Sequence, residues 1–218
     1  MGPQEGDRKC PACGQPLYGW LQLETPAGPT LFERCENCRL GIAAGLGPGD
    51  VSNELLADAR NLPDGRLELR VANRDSWQAR LGALNWAGLE PGRGLYPTPP
   101  ALELLSANEG LSVARVESPR WGRGQLWMWQ TIVNAFTFQH NFALQARAGL
   151  IRPARGFAAR FKYAMDAVVT VLATPLVLVV SVPLELVAAV AGKAGILVAI
   201  ASRADAPQPS DEYEKVDQ

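Results

Sequence analysis

The chain has 218 residues, a formal net charge of −1, 20% charged residues and 47% hydrophobic residues. That length predicts one or two domains. The near-neutral balance offers no global basic field, so nucleic acid is not expected as a partner. The hydrophobic residues are unevenly spread: the N-terminal quarter is turn-rich and polar, and residues 167–201 are almost continuously apolar.

Residues 1–9, "MGPQEGDRK", read as a flexible arm. They contain no apolar core of a secretory leader, so a cytoplasmic location is expected, with peripheral contact at the membrane.

Residues 10–40 hold every cysteine in the chain, as two Cys-x-x-Cys pairs: Cys10 with Cys13, and Cys35 with Cys38. A short Cys-x-x-Cys turn points two thiolates at one ion, and two such turns close a tetrahedral sulfur shell around zinc. The 21 residues between the pairs suit a β-hairpin, with "LYGWLQLE" and "PTLFERC" as strands around "TPAGP". Pro11 and Gly14, then Glu36 and Asn37, are turn formers. With four sulfurs and no other ligand nearby, the expected site is a structural zinc ribbon with no open position for chemistry. Two disulfides are the competing reading, and they need an oxidising compartment. A redox pair would need a βαβ context that is missing here.

Residues 41–50, "GIAAGLGPGD", read as a linker. Gly45, Gly47 and Gly49 suggest a nucleotide loop, but such a loop follows a buried strand and opens a helix. From Val51 the pattern predicts a helix to Asn61, a turn at "LPDG" and a strand over 66–73. A short helix is expected around Trp77–Leu84, another over 101–110, a strand over 111–118 and a helix over 127–149. The run 195–203 reads as a final strand. The acidic tail 205–218 is expected to be disordered.

The order of these elements, and the strings "LPDG", "RLELRVAN" and "RGLYPTPP", resemble the C-terminal half of class I S-adenosylmethionine-dependent methyltransferases. The resemblance covers 53–203. It implies an α/β fold: a truncated Rossmann-like half-domain over 51–204, behind the zinc ribbon, with apolar helices at 165–192. The family holds its cofactor with the first half of the sheet. Only 12 residues separate Cys38 from Val51, and one βαβ unit needs about 30. S-adenosylmethionine is therefore not expected to bind. The histidines of the family's "RHLYHFSP"-like string are replaced by Gly94 and Pro97, so no catalytic residue carries over. The single histidine, His140, reads as a polar position on an aromatic helix or as a general base. Asp75 and Ser76 read as turn residues or remnants of a site. Trp86, Trp121, Trp127 and Trp129 read as packing or as a pocket lining.

Residues 167–190 are long enough to cross a bilayer. Fourteen Val and Leu residues there contribute roughly −4 to −8 kcal/mol to insertion, and Glu185 returns about +3. Pro175 and Pro183 each interrupt helix hydrogen bonding, which predicts a kinked hairpin. Arg147, Arg152, Arg155, Arg160 and Lys162, interleaved with Phe157, Phe161 and Tyr163, suit an anionic headgroup layer. A membrane surface is thus an expected contact through 147–190. A half sheet also leaves an edge to cover, so a protein partner or self-association is expected. The combined expectation is a non-enzymatic binding or assembly module. One alternative is a methyltransferase acting on a small-molecule, sugar or lipid-linked substrate. The other is a nucleic-acid-binding ribbon using Arg8, Lys9, Arg34 and Arg39.

Overall fold

The structure is a computed structural model, and it describes residues 8–25, 28–90, 93–152 and 155–203. Most of the arm and the acidic tail lie outside the described residues. Strands β1 (Leu17–Thr25) and β2 (Gly28–Cys35) form the expected hairpin. Strand β3 (Gly41–Ala43) and helix α1 (Pro48–Leu56) follow. Next come β4 (Arg60–Asn61), β5 (Leu67–Ala72), α2 (Trp77–Gly82) and β6 (Leu95–Tyr96). The chain continues through α3 (Pro99–Asn108), β7 (Leu111–Glu117), α4 (Arg123–Asn134) and α5 (Phe142–Arg147). It closes with α6 (Phe157–Val190) and β8 (Ile196–Arg203).

Two four-stranded sheets result, ordered β1-β2-β3-β6 and β4-β5-β8-β7. Every strand pair in them is antiparallel. This corrects the Rossmann-like expectation. A Rossmann half is built from parallel strands joined by crossover helices, and here β8 pairs antiparallel with both β5 and β7. The protein is a mixed α/β fold with two small antiparallel sheets.

Residues 41–50, expected as a linker, are taken up by β3 and the first turn of α1. Strand β3 pairs with β2 on one side and with β6 on the other. The cysteine hairpin therefore shares a sheet with the later chain. It also shares a core: Cys10, Cys35 and Cys38 pack in one cluster with Leu69, Leu102, Leu105 and Leu197.

Strand β8 explains its own composition. Leu197, Ala199 and Ala201 face that core, whereas Ile196 and Val198 face a second one with Trp86, Tyr96 and Trp127. A strand buried on both faces reads as a continuous apolar run. In the second core the Tyr96 ring meets Trp86 and Phe32 edge-on, with centroids 5.5 and 5.6 Å apart. Each such pair adds roughly 0.5–1.5 kcal/mol beyond its buried area.

The helix expected over 127–149 is two helices. Asn141 adopts a left-handed backbone (φ 56°). Its side-chain carbonyl accepts from Asn134 Nδ2 (2.9 Å), and its N–H donates to Asn134 Oδ1 (2.9 Å). This buried amide pair turns the chain between α4 and α5. The expected kinked hairpin at 167–190 is instead one helix of 34 residues that contains both Pro175 and Pro183.

Candidate metal centre and the outward face of the long helix

The first cysteine turn is closed by Gly14 N–H donating to Cys10 O (2.8 Å) and Cys10 N–H donating to Gln15 O (2.7 Å). The second is closed by Cys35 N–H donating to Leu40 O (2.9 Å). In both, the residue after the second cysteine is left-handed: Gly14 at φ 73° and Arg39 at φ 62°. Glycine takes that conformation without strain, and arginine does not.

The turns bring all four sulfurs within 4.8 Å of one another. The shortest separations are 3.4 Å (Cys13 to Cys35), 3.5 Å (Cys10 to Cys38) and 3.6 Å (Cys13 to Cys38). These are too long for a disulfide, whose sulfurs sit about 2.05 Å apart. They suit a tetrahedron with metal–sulfur bonds of about 2.3 Å, whose edges are about 3.8 Å. The four cysteines are positioned to bind one metal ion. Cys10, Cys35 and Cys38 are buried, and Cys13 is half-buried.

Electrostatics follow from that crowding. The hydrogen bond from Cys38 holds the Cys10 thiol down to about 5, against the upward push of burial, and the backbone N–H groups of Cys13 and Ala12 add to the lowering. The same bond, then burial, pushes Cys38 up. Burial likewise raises Cys35. A cation at the centre would replace the shared protons, because only thiolates ligate.

Helix α3 buttresses both turns. Thr98 at its N-cap donates to Cys38 O (2.7 Å), and Asn108 at its last turn donates to Pro11 O (2.9 Å).

The other residues singled out in the sequence have structural partners. Gly47 N–H donates to Asp50 Oδ2 (2.9 Å), so the glycine loop spends this amide capping α1. Ser76 caps α2 by accepting from Ala79 N–H (3.1 Å). The His140 ring meets Trp86 O at 3.1 Å, and burial lowers its pKa. Asp75 lies under three cations: Arg80 at 2.6 Å, Arg39 at 2.9 Å, and Lys193. Burial pushes its carboxyl up, but Lys193, Arg80 and Arg39 outweigh that and hold it below the ordinary value. Trp86, Trp127 and Trp129 are buried, whereas Trp121 is 70% exposed.

No protein-family model, no curated protein and no solved structure matches this chain. The methyltransferase resemblance therefore has no relative behind it, and the sheets run against it.

Helix α6 is the second distinctive feature. Among the described residues it is the one helix long and apolar enough to cross a bilayer, and 11% of its most apolar stretch is covered by the rest of the protein. Its polarity is inverted. Asp166, Ser181 and Glu185 are buried against the body, whereas Val171, Leu172, Leu176, Val179 and Val190 are each about 70% exposed. Asp166 accepts from the N–H groups of Phe138 (2.7 Å) and Gln139 (3.1 Å). Glu185 accepts from Gly195 N–H (2.9 Å). Between them Val177 packs on Trp129 and Val133 of α4. A soluble amphipathic helix does the reverse, with its apolar stripe inward and its charges in water. The inward carboxylates could not be foreseen, because the hydrophobic run is continuous around the helix.

Proposed function

We propose that this chain is a zinc-stabilised binding module that rests on a membrane surface through α6. One observation carries the membrane reading: a 34-residue helix that turns its carboxylates inward and its valines and leucines outward. Contiguous exposed apolar surface of this kind marks a membrane or protein contact. The flanking cations Arg152, Arg155, Arg160 and Lys162 favour an anionic lipid surface as that contact.

Geometry favours lying over spanning. The body backs α6 from Asp166 to Glu185, a length of about 28 Å. That nearly equals the hydrocarbon thickness of about 30 Å. A perpendicular helix would carry α4 and its buried amides Gln130 and Asn134 into the hydrocarbon. A helix in the interfacial plane keeps them on the water side. The four-sulfur donor set favours zinc as the ion, held for structure because no coordination position is left open.

Flotation with vesicles containing phosphatidylglycerol tests this reading. The wild-type chain is expected to float in low salt, and the exposed double substitution Leu172→Asp with Leu176→Asp is expected to stay at the bottom. Flotation of both, or of neither, overturns the proposal. A stable wild-type dimer in vesicle-free buffer that the double substitution breaks assigns α6 to a second copy and also overturns it. Elemental analysis should find one zinc per chain.

A further inference from the structure

Two cavities lie on either side of the first turn of α4, and Arg123 and Trp127 line both. The first, about 330 Å3, is walled by Arg60, Arg70, Arg93 and Arg123, with Asp58 as its only carboxylate among the described residues. The second, about 350 Å3, is walled by Leu126, Leu144, Ala148 and Leu150, with Glu90, Asn141 and Gln145 also on its lining. Each falls in the range of small-molecule sites, about 300–1,000 Å3.

The arginines keep donors to spare. Arg70 meets Glu68 at 2.6 Å through Nε, and Glu68 is its one ion-pair partner among the described residues. Arg123 meets Glu90 at 2.7 Å through Nη2, and Glu90 is its one ion-pair partner among the described residues. Arg93 is committed to Asp58 and Glu90, and Arg60 makes no ion pair among the described residues. Guanidinium groups converging on a concavity match a carboxylate or phosphate by paired N–H donors. Glu68, paired with Arg70, and Glu90, paired with Arg123 and on the lining of the second cavity, temper the field, which suits one anionic group and not a polyanion. Beyond the shared Trp127 the wall gains the apolar side chains Leu126, Leu144, Ala148 and Leu150, beside Glu90, Asn141 and Gln145. Trp127 also carries the Arg123 guanidinium 5.1 Å from its ring centre.

We propose that the two cavities form one groove for a single-chain anionic amphiphile, its phosphate or carboxylate on the arginine side and its alkyl chain on the leucine side. The change from cationic to apolar wall across two shared residues selects a molecule with both characters. Neither a free phosphate nor a neutral lipid uses both halves. The groove involves none of the outward residues of α6, so this proposal does not depend on membrane docking.

Calorimetry with the full zinc-loaded chain tests it, using oleoyl lysophosphatidic acid below its micelle concentration. Glycerol 3-phosphate supplies the head alone, and oleoyl lysophosphatidylcholine supplies the tail with a neutral head. The acid is expected to bind at least tenfold more tightly than either, as charge-assisted pairing and apolar burial combine. Arg60→Ala with Arg70→Ala, both exposed positions, should weaken it roughly tenfold or more. Ala148→Trp should weaken it by filling the tail side. Matching melting temperatures establish that these variants fold. The Leu172→Asp and Leu176→Asp chain should bind like wild type even where flotation fails. Equal binding of glycerol 3-phosphate overturns the proposal, because it describes a free-phosphate pocket. Wild-type affinity in the arginine or Ala148 variants, no binding at all, or loss of binding in the α6 variant also overturns it.

Discussion

Thr98 Oγ1 donates to the carbonyl oxygen of Cys38 over 2.7 Å while accepting from Ala101 N–H at 3.4 Å, so one hydroxyl caps α3 and pins the second cysteine turn. Thr98 is 2% exposed. A buried carbonyl that loses its donor costs about 1–3 kcal/mol, and an N-cap threonine contributes about 1 kcal/mol. Thr98→Val should therefore destabilise the metal-loaded protein by about 2 kcal/mol in urea unfolding. Thr98→Ser should stay close to wild type. Equal stability of the valine variant would mean that the hydroxyl does not hold the turn.

Metal removal should reach well beyond the cysteines. A free-standing ribbon would unfold alone on chelation. Here Cys10, Cys35 and Cys38 pack with Leu69 and Leu197 of the second sheet, and β3 hydrogen-bonds to β6. Metal binding at such sites supplies about 10–16 kcal/mol in small peptides, comparable to the stability of a whole domain. A strong chelator, or Cys35→Ser, should abolish the near-ultraviolet dichroism of the buried Trp86 and Tyr96. Retention of that signal in metal-free protein would show that the second core stands without the centre.

The metal site was legible because ligand spacing is local: two short turns and a hairpin suffice, and each lies within 30 residues of sequence. Strand β8 was legible because burial on both faces leaves Ile196 to Val198 no polar position. Sheet pairing was not. Strand β5 meets β8 across more than 120 residues, and no local string encodes that partner or its direction. The resemblance to methyltransferases rested on such strings, so it could not detect antiparallel strands. Pro175 and Pro183 suggested a break, yet both sit on the exposed side of α6, where the missing hydrogen bonds do not disturb packing. The turn at Asn141 was hidden because its cause is a tertiary pairing with Asn134.

Asp75 offers an electrostatic test. Its carboxylate is 7% exposed and balances Arg39, Arg80 and Lys193. Those cations are themselves a third to a half exposed, so water screens part of each pairing. Asp75→Asn should cost about 1–3 kcal/mol near neutral pH. The folded pKa is depressed, so this stabilisation is present above the unfolded value of about 3.9 and lost as pH falls through the folded value. The gap between wild type and Asp75→Asn in denaturant midpoints should therefore close in acid. A gap independent of pH would assign the effect to packing.

Glu185 should behave in the opposite sense. It is fully buried, and burial raises its pKa against the lowering effect of hydrogen bonds from Gln78 and Gly195. Its Oε1 accepts from Gly195, but among the described residues Oε2 has no hydrogen-bond partner, and neither has Oε1 of Gln78. A proton on Glu185 removes the charge that burial penalises. The folded state therefore prefers the acid form. For a carboxyl with a raised folded pKa, the favourable contribution is full below the unfolded value of about 4.3 and falls away as pH rises through the folded value. Glu185→Gln keeps the shape and stays uncharged at every pH. It should match wild type near pH 4 and exceed it by about 1–3 kcal/mol at the pH where the acid has ionised. Urea midpoints of both chains from pH 4 to 9 measure this, and a parallel pair of curves would show that Glu185 does not titrate with folding.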